Sequence, residues 1–147
     1  MNGSGWEQIS FMVDSGASET VAHEGAFNNI PITETTATGT QYSSACSGGP
    51  VITNAGEKVV EVMDNNAAIW HMKVQMCTNL NEKKFLASVS RINQAGQRVV
   101  FDTPEFGSYI ENKKTLAKTW LRQESGVFYL DLWIKPGSGF TRQGMTR

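Results

Sequence analysis

The chain has 147 residues, of which 39% are hydrophobic and 18% charged, and its formal net charge is −1. This length favours one domain with a real hydrophobic core and is short for an enzyme with two lobes. No apolar run reaches the length of a signal peptide or a membrane span, so we expect a cytoplasmic (intracellular) protein with no membrane partner.

The charges are unevenly placed along the chain. Residues 1–60 hold one lysine against six acidic residues, whereas residues 61–147 hold twelve basic residues against eight acidic ones. The basic half mixes both signs without a block of like charge, so we expect a solvated face and no nucleic-acid binding.

Cys46 and Cys77 lack the spacing of a disulfide framework or a zinc site, and the sequence predicts neither a metal nor a cofactor.

The first predicted strand leads directly into an acidic residue. After a short lead-in at residues 1–5, which we expect to be flexible, residues 6–13 contain the aromatic and β-branched residues typical of a strand. The strand ends in three apolar residues, and Asp14 follows them. A carboxylate at the end of a buried strand lies at the edge of a core, which makes Asp14 a candidate functional group.

The residues after Asp14 are those of a tight turn. Gly16 allows the backbone to turn and to approach another backbone closely, and the Ser15 hydroxyl can tie the turn to a neighbour. Asp-Ser-Gly also occurs in ordinary turns, which leaves open that Asp14 is only a turn-forming or capping acid. We expect a short strand at residues 19–22 and a polar loop at residues 23–29.

Residues 11–21 read Phe-Met-Val-Asp-Ser-Gly-Ala-Ser-Glu-Thr-Val. This pattern resembles the active-site loop of retropepsin-like aspartic proteases, whose family form is two apolar residues followed by Asp-(Thr/Ser)-Gly-(Ala/Ser). The resemblance implies that Asp14 is catalytic and that Ser15 and Gly16 shape the active-site loop. It also implies substrate-binding roles for three further residues of the loop: Ala17, Ser18 and Glu19.

The number of Asp-Ser-Gly motifs in the chain decides whether one copy or two would form the active site. Aspartic proteases need two carboxylates that share a proton, and the two-lobed members of the class carry both on one much longer chain. This sequence has one Asp-Ser-Gly, and the Asp-Thr-Pro at residues 102–104 cannot replace it because proline removes the needed backbone freedom. The resemblance therefore implies a homodimer, in which a second copy of the chain supplies the second Asp14.

Turn-forming residues dominate the next stretch of the chain. Residues 31–40 are rich in threonine and suit an exposed strand or a strand-like loop. Turns are predicted at residues 47–50 and again at residues 54–56, with a short strand between them and a longer one over residues 59–63.

The Gly-rich stretch over residues 42–60 lies where retropepsins carry the flap that closes over a bound peptide. The resemblance thus implies substrate contacts for Gly48, Gly49 and Gly56. A plain surface hairpin explains the same turn residues equally well, because turn residues do not distinguish a lid from a loop.

The spacing of the apolar residues changes between the next two predicted elements. Residues 67–76 alternate as a strand. After them, Leu86, Val89 and Ile92 recur at every third position and predict a short helix that ends at Gly96.

A second resemblance falls on residues 87–101, which read Ala-Ser-Val-Ser-Arg-Ile followed by Gly and a Val-x-Phe strand. They look like the L-S-V-S-x-Φ segment of copia-type retrotransposon proteases. Ala87 or Ser88 stands where many retropepsins have a glycine packed under the active-site loop. This departure implies tighter packing there and leaves open that the fold is retained while catalysis is weak or lost.

The C-terminal third alternates strands and turns. Strands are predicted at residues 107–111, 119–122 and 127–134, and the last is strongly apolar. In copia-type polyproteins a similar strand-rich connector lies between protease and integrase, so the resemblance implies that role for residues 103–134. Residues 135–147 are Gly-rich and basic, and we expect them to be disordered.

The predicted elements together indicate an all-β fold with one short helix. The resemblance narrows this to a retropepsin-like closed β-barrel over residues 6–102, with one half-site per chain and extra C-terminal strands. It implies a homodimeric aspartic endopeptidase that cleaves a polypeptide substrate, the polyprotein of a copia-type retrotransposon, through a water activated by Asp14. Two alternatives stay open: a catalytically weak or inactive protease-derived binding or structural module, and an unrelated all-β domain with a chance Asp-Ser-Gly.

Overall fold

A computed structural model describes residues 5–42 and 51–135 of the chain. Over these residues the chain forms strands and one short helix, which confirms the predicted all-β class. The predicted turn at residues 47–50, with Gly48 and Gly49, lies outside the described residues, as do residues 1–4 and 136–147. In chain order the elements are β1 (Glu7–Asp14), β2 (Val21–His23), β3 (Gln41–Tyr42), β4 (Ile52–Met63), β5 (Ile69–Thr78), β6 (Phe85–Ser88), α1 (Val89–Gln94), β7 (Gln97–Val100), β8 (Ser108–Asn112), β9 (Lys118–Glu124) and β10 (Val127–Ile134).

Strand β1 lies between two strands that come from distant parts of the sequence. It pairs in parallel with β6 and antiparallel with β10, the latter over six residue pairs. Ile9, Phe11 and Val13 are buried, whereas the intervening residues are only partly buried. This alternation fixes the register, because a shift by one residue would turn the apolar side chains to the other face.

The described strands share one sheet in the order β3-β4-β5-β2-β6-β1-β10-β9-β8-β7. β10 also pairs with β4, through Trp133 opposite Met63 and Ile134 opposite Val62. Strand pairing therefore runs from β4 through β5, β2, β6, β1 and β10 and returns to β4. β9, β8 and β7 continue from β10 as an antiparallel meander.

The core combines side chains from the beginning, middle and end of the chain. The rings of Phe11 and Phe27 each meet the Phe85 ring edge to face, with centroids 5.4 and 5.9 Å apart. β10 contributes three side chains that are almost completely buried: Leu130, Leu132 and Ile134. The C-terminal strands thus belong to the same sheet and core as β1.

The predicted helix is wrong in its first turn. Phe85–Ser88 is strand β6, because its backbone pairs with β1 on one side and β2 on the other. The helix begins at Val89, with Ser88 as its N-cap residue. The predicted end is correct, since Gly96 follows the helix with a φ of 86°, a left-handed conformation that favours glycine.

The turn predicted at residues 54–56 is also wrong. β4 continues through these residues, and its pairing with β5 shifts register there as a β-bulge. The Asn54 side chain accepts a hydrogen bond from the Gly56 N–H at 2.7 Å, and Gly56 has a φ of 137°. Asn54 and Gly56 therefore form a β-bulge here. Bulges and turns favour the same residue types, which is why the sequence predicted a turn.

Among the described residues, no helix is both long and apolar enough to cross a membrane. Residues 31–40 form a loop that joins β4 at two places, through the isolated bridge of Thr33 opposite Glu57 and through backbone hydrogen bonds of Asn54 with residues 39 and 40. This is in line with the expected strand-like loop.

Candidate active site

Asp14 is the last residue of β1, and its side chain is partly exposed. Its Oδ1 accepts a hydrogen bond from the Gly16 N–H at 2.8 Å, so the turn closes on the carboxylate. A Cβ atom at position 16 would lie 3.3 Å from the same oxygen. A side chain at this position would therefore press on the carboxylate and shift it by a few tenths of an ångström.

Ser88 anchors the loop that follows Asp14. It is fully buried, and its Oγ donates a hydrogen bond to the Ala17 carbonyl at 2.7 Å and accepts one from the Arg91 N–H at 3.2 Å. Its backbone N–H donates to the Thr20 hydroxyl at 3.0 Å. One serine thus caps α1 and holds the loop against β6.

Ser88 and Ala87 are the residues that differ from the glycine of many retropepsins. Both are completely buried in the structure, so the sheet accommodates their Cβ atoms. The Ser88 hydroxyl supplies two hydrogen bonds that glycine lacks. Sequence reasoning treated this position as a weakness of the loop and missed its role as an anchor.

Glu19 and Arg91 form a second connection between the loop and α1. The Arg91 Nε donates to Glu19 Oε1 at 2.8 Å, and its Nη2 donates to the other oxygen, Oε2. The hydrogen bond to Glu19 raises the pKa of the Arg91 guanidinium above its ordinary value. Both carboxylate oxygens are therefore occupied, and the substrate contact implied for Glu19 stays a prediction that requires Arg91 to share one of them.

The base of the β3–β4 hairpin lies close enough to the loop to respond to its charge. The Tyr42 hydroxyl accepts a hydrogen bond from Asn54 Nδ2 at 3.0 Å, and Asn54 also donates to Gln75 Oε1 at 2.9 Å. Burial raises the pKa of the Tyr42 hydroxyl, and the negative charge of Glu19 adds to this increase. This network was not predicted from the sequence.

The predicted site residues fall into three groups. The loop after β1 brings together Asp14, Ser15, Gly16, Ala17, Ser18 and Glu19, of which Ser15, Gly16 and Ser18 are exposed. Gly56 lies instead in the β4 bulge, where a Cβ atom would come within 2.6 Å of Ile32 Cγ1. Gly48 and Gly49 are outside the described residues, so the proposed flap rests on the resemblance.

The part of the chain that the structure describes contains no group of three or more His, Cys, Asp or Glu side chains suited to hold a metal ion. A scan of protein-family models, a search of curated proteins and a search of solved structures each returned no match to this chain. A functional assignment therefore depends on the geometry of the Asp14 loop.

Proposed function

We propose that the protein is an aspartic endopeptidase of the retropepsin type that acts as a homodimer. The observation that carries this proposal is the fixed placement of Asp14: a partly exposed carboxylate at the end of a core strand, in a loop held by the buried Ser88. Catalytic groups need both access to substrate and a rigid support, and this arrangement provides both.

The return of strand pairing from β10 to β4 supports the proposal of a retropepsin-like barrel. In this proposal each chain contributes one half-site. The substrate is the polyprotein of a copia-type retrotransposon, processed inside the cell. Residues 103–134 correspond to the connector that precedes the integrase, and they supply β10 to this barrel.

The proposed mechanism uses two Asp14 carboxylates that face each other across a two-fold axis. Two carboxylates in direct contact cannot both carry a negative charge at low cost, so the pair shares one proton. The ionised Asp14 removes a proton from a bound water, whose oxygen attacks the scissile carbonyl carbon. The protonated Asp14 donates a hydrogen bond to the carbonyl oxygen, and a proton then passes to the leaving amine as the C–N bond breaks.

The loop residues take supporting roles in this mechanism. Ser15 is exposed beside Asp14 and would hydrogen-bond to the loop of the second copy. Gly16 keeps the space beside the carboxylate open for the substrate backbone, since a Cβ atom at this position would lie 3.3 Å from Oδ1. The chemistry uses water as the nucleophile and needs neither a metal nor an organic cofactor.

Cleavage of a mixed peptide library between pH 4 and pH 7 tests the proposal. We expect the wild-type chain to cleave, a pepstatin-type inhibitor to block cleavage and Asp14→Asn to abolish it, because asparagine cannot act as a general base. Asp102→Asn is the matched control, since Asp102 is an exposed acid that is also followed by a hydroxyl residue. Cleavage that persists in Asp14→Asn would contradict the proposal, and a folded dimer without cleavage would favour the binding module.

A further inference from the structure

A cavity of about 350 Å³ opens beside β1. Met12, Leu86 and Tyr129 give it an apolar side, and Ser10, Lys83 and Lys84 give it a polar one. Its size lies at the lower end of the range for ligand sites in proteins, and an apolar lining with a few polar groups is typical of such sites.

The cavity lies on the same face of β1 as Asp14. Phe11 and Val13 point into the core, so Met12 and Asp14 share the opposite face. Two residues of strand span about 6–7 Å, which is the offset expected between the two along β1. β6 runs beside them in parallel, with Leu86 opposite Met12 and Ser88 opposite Asp14.

Two lysines give the cavity a positive charge. Within residues 5–42 and 51–135, neither Lys83 nor Lys84 takes part in an ion pair. Asn81 fixes the backbone that carries them, because its Oδ1 accepts from the Lys83 N–H at 2.8 Å and its carbonyl from the Lys84 N–H at 2.9 Å. Glu82 lies between Asn81 and Lys83 in sequence but does not line the cavity.

The nearby arginine does not add to this charge. Arg122 lies over the Tyr129 ring, 4.6 Å from its centroid, and its Nε and Nη2 donate to the two oxygens of Asp131 at 2.9 and 3.1 Å. Its charge is therefore compensated. Among the described residues that line the cavity, only Lys83 and Lys84 carry a charge without an ion-pair partner.

We infer that this cavity receives an acidic side chain of the substrate, within about two residues of the scissile bond. This inference rests on the proposed function. The methylene stem of a glutamate packs against Met12 and Leu86, and its carboxylate meets the Lys83 and Lys84 ammonium groups. Lys83 and Lys84 are thus specificity-determining residues, and peptides with Glu or Asp at this position are the preferred substrates.

Peptide binding to the Asp14→Asn protein, with its fold checked by circular dichroism, tests this inference without cleavage. A random decapeptide library is passed over the immobilised protein, and the retained peptides are sequenced. We expect acidic residues to be enriched at one position. A retained peptide with Glu at that position should bind about fivefold more tightly than its Gln analogue, as expected for two partly exposed charge pairs.

Two lysine-pair variants identify the source of the preference. Lys83→Gln with Lys84→Gln should bring the Glu and Gln peptides to within twofold of each other. Lys113→Gln with Lys114→Gln is the matched control, because these exposed lysines lie in the turn after β8, away from the cavity, and the charge change is the same. Loss of the preference in the control, no acidic enrichment or no retained peptide would overturn the inference.

The same library separates this inference from the proposed function. If the wild-type chain cleaves the library at sites that lack a nearby acid, the cavity assignment fails and the protease proposal stands. If acidic peptides are retained through Lys83 and Lys84 but the wild-type chain cleaves none of the library, the protease proposal fails and the cavity is the acidic-peptide site of a non-catalytic module.

Discussion

At the scale of single residues, Ser88 connects the candidate loop to the rest of the fold. Its hydroxyl caps α1 and holds the Ala17 carbonyl, and no water reaches the side chain. Removal of this hydroxyl takes away the helix cap and leaves the Ala17 carbonyl without its hydrogen-bond donor. Both losses lower the stability of the fold.

We predict that Ser88→Ala lowers the free energy of unfolding by about 1–2 kcal/mol, measured by urea unfolding. Ser90→Ala is the control within the same helix, because Ser90 is exposed and its Oγ accepts only a surface hydrogen bond, from Gln94 at 3.2 Å. Its effect should stay within about 0.5 kcal/mol. Equal effects of the two substitutions would contradict the anchoring role of Ser88.

Asp131 makes a contribution to stability that depends on pH. Burial raises the pKa of its carboxyl, but hydrogen bonds from Arg122 and Ser10 outweigh burial and bring the pKa below its ordinary value of 3.8. The folded protein thus holds the ionised form more strongly than the unfolded chain does. The contribution is present above the ordinary pKa and is lost as the pH falls through the lower pKa of the folded state.

We predict that Asp131→Asn makes the free energy of unfolding less sensitive to acid below about pH 4. The measurement is urea unfolding from pH 6 to pH 2.5, in which the wild-type chain should lose more stability than the variant. Asp102→Asn, at an exposed acid, should keep the wild-type slope. An unchanged slope in Asp131→Asn would rule out this account of the ion pair.

At the scale of elements, β10 is as important to the core as β1. It pairs with β1, β4 and β9, and Leu130, Leu132 and Ile134 are almost completely buried. Burying three such side chains contributes about 5–9 kcal/mol, which is comparable to the whole stability of a typical domain.

We predict that a chain ending at Asp102 does not fold cooperatively, because it lacks β10 and leaves one edge of β1 unpaired. A chain ending at Lys135 is the control and should unfold like the full chain, since every described strand is retained. Thermal unfolding followed by circular dichroism makes the comparison. A cooperative transition of the shorter chain near that of the full chain would contradict the role of β10.

Local sequence patterns predicted the elements whose apolar residues alternate. β1, β8, β9 and β10 were expected within two residues of their observed ends, because alternation is a local property of a strand that is buried on one face. β6 was taken for a helix, since its strand character depends on β1 and β2, which are distant in sequence. The β4 bulge was taken for a turn because both use asparagine and glycine.

Residues of the candidate site were predicted where their role depends on neighbours in sequence and were missed where it depends on distant residues. Asp14, Ser15 and Gly16 were identified because a turn after a buried strand is visible in adjacent residues. The roles of Ser88 and Arg91 were missed, because their bonds to Ala17 and Glu19 cross 71 and 72 residues of sequence. No single-sequence pattern encodes such separations.

At the scale of the whole molecule, each chain offers one Asp14, at the end of β1 that pairs with β6. The β1–β6 pairing spans residues 12–14, so the part of β1 next to the loop already has a strand partner. We therefore expect the two copies to meet through the exposed loop residues Ser15, Gly16 and Ser18. A net charge of −1 adds little repulsion between them.

The most direct test of a shared site is to mix active and inactive chains. Wild-type protein is held constant, Asp14→Asn protein is added to a tenfold excess, and cleavage of a library peptide is measured. Mixed dimers hold one Asp14 each, so we predict that activity falls by about tenfold. Added Asp102→Asn chain should instead raise activity. Activity that is unchanged by the Asp14→Asn chain would show that one chain suffices, and would contradict the homodimeric site.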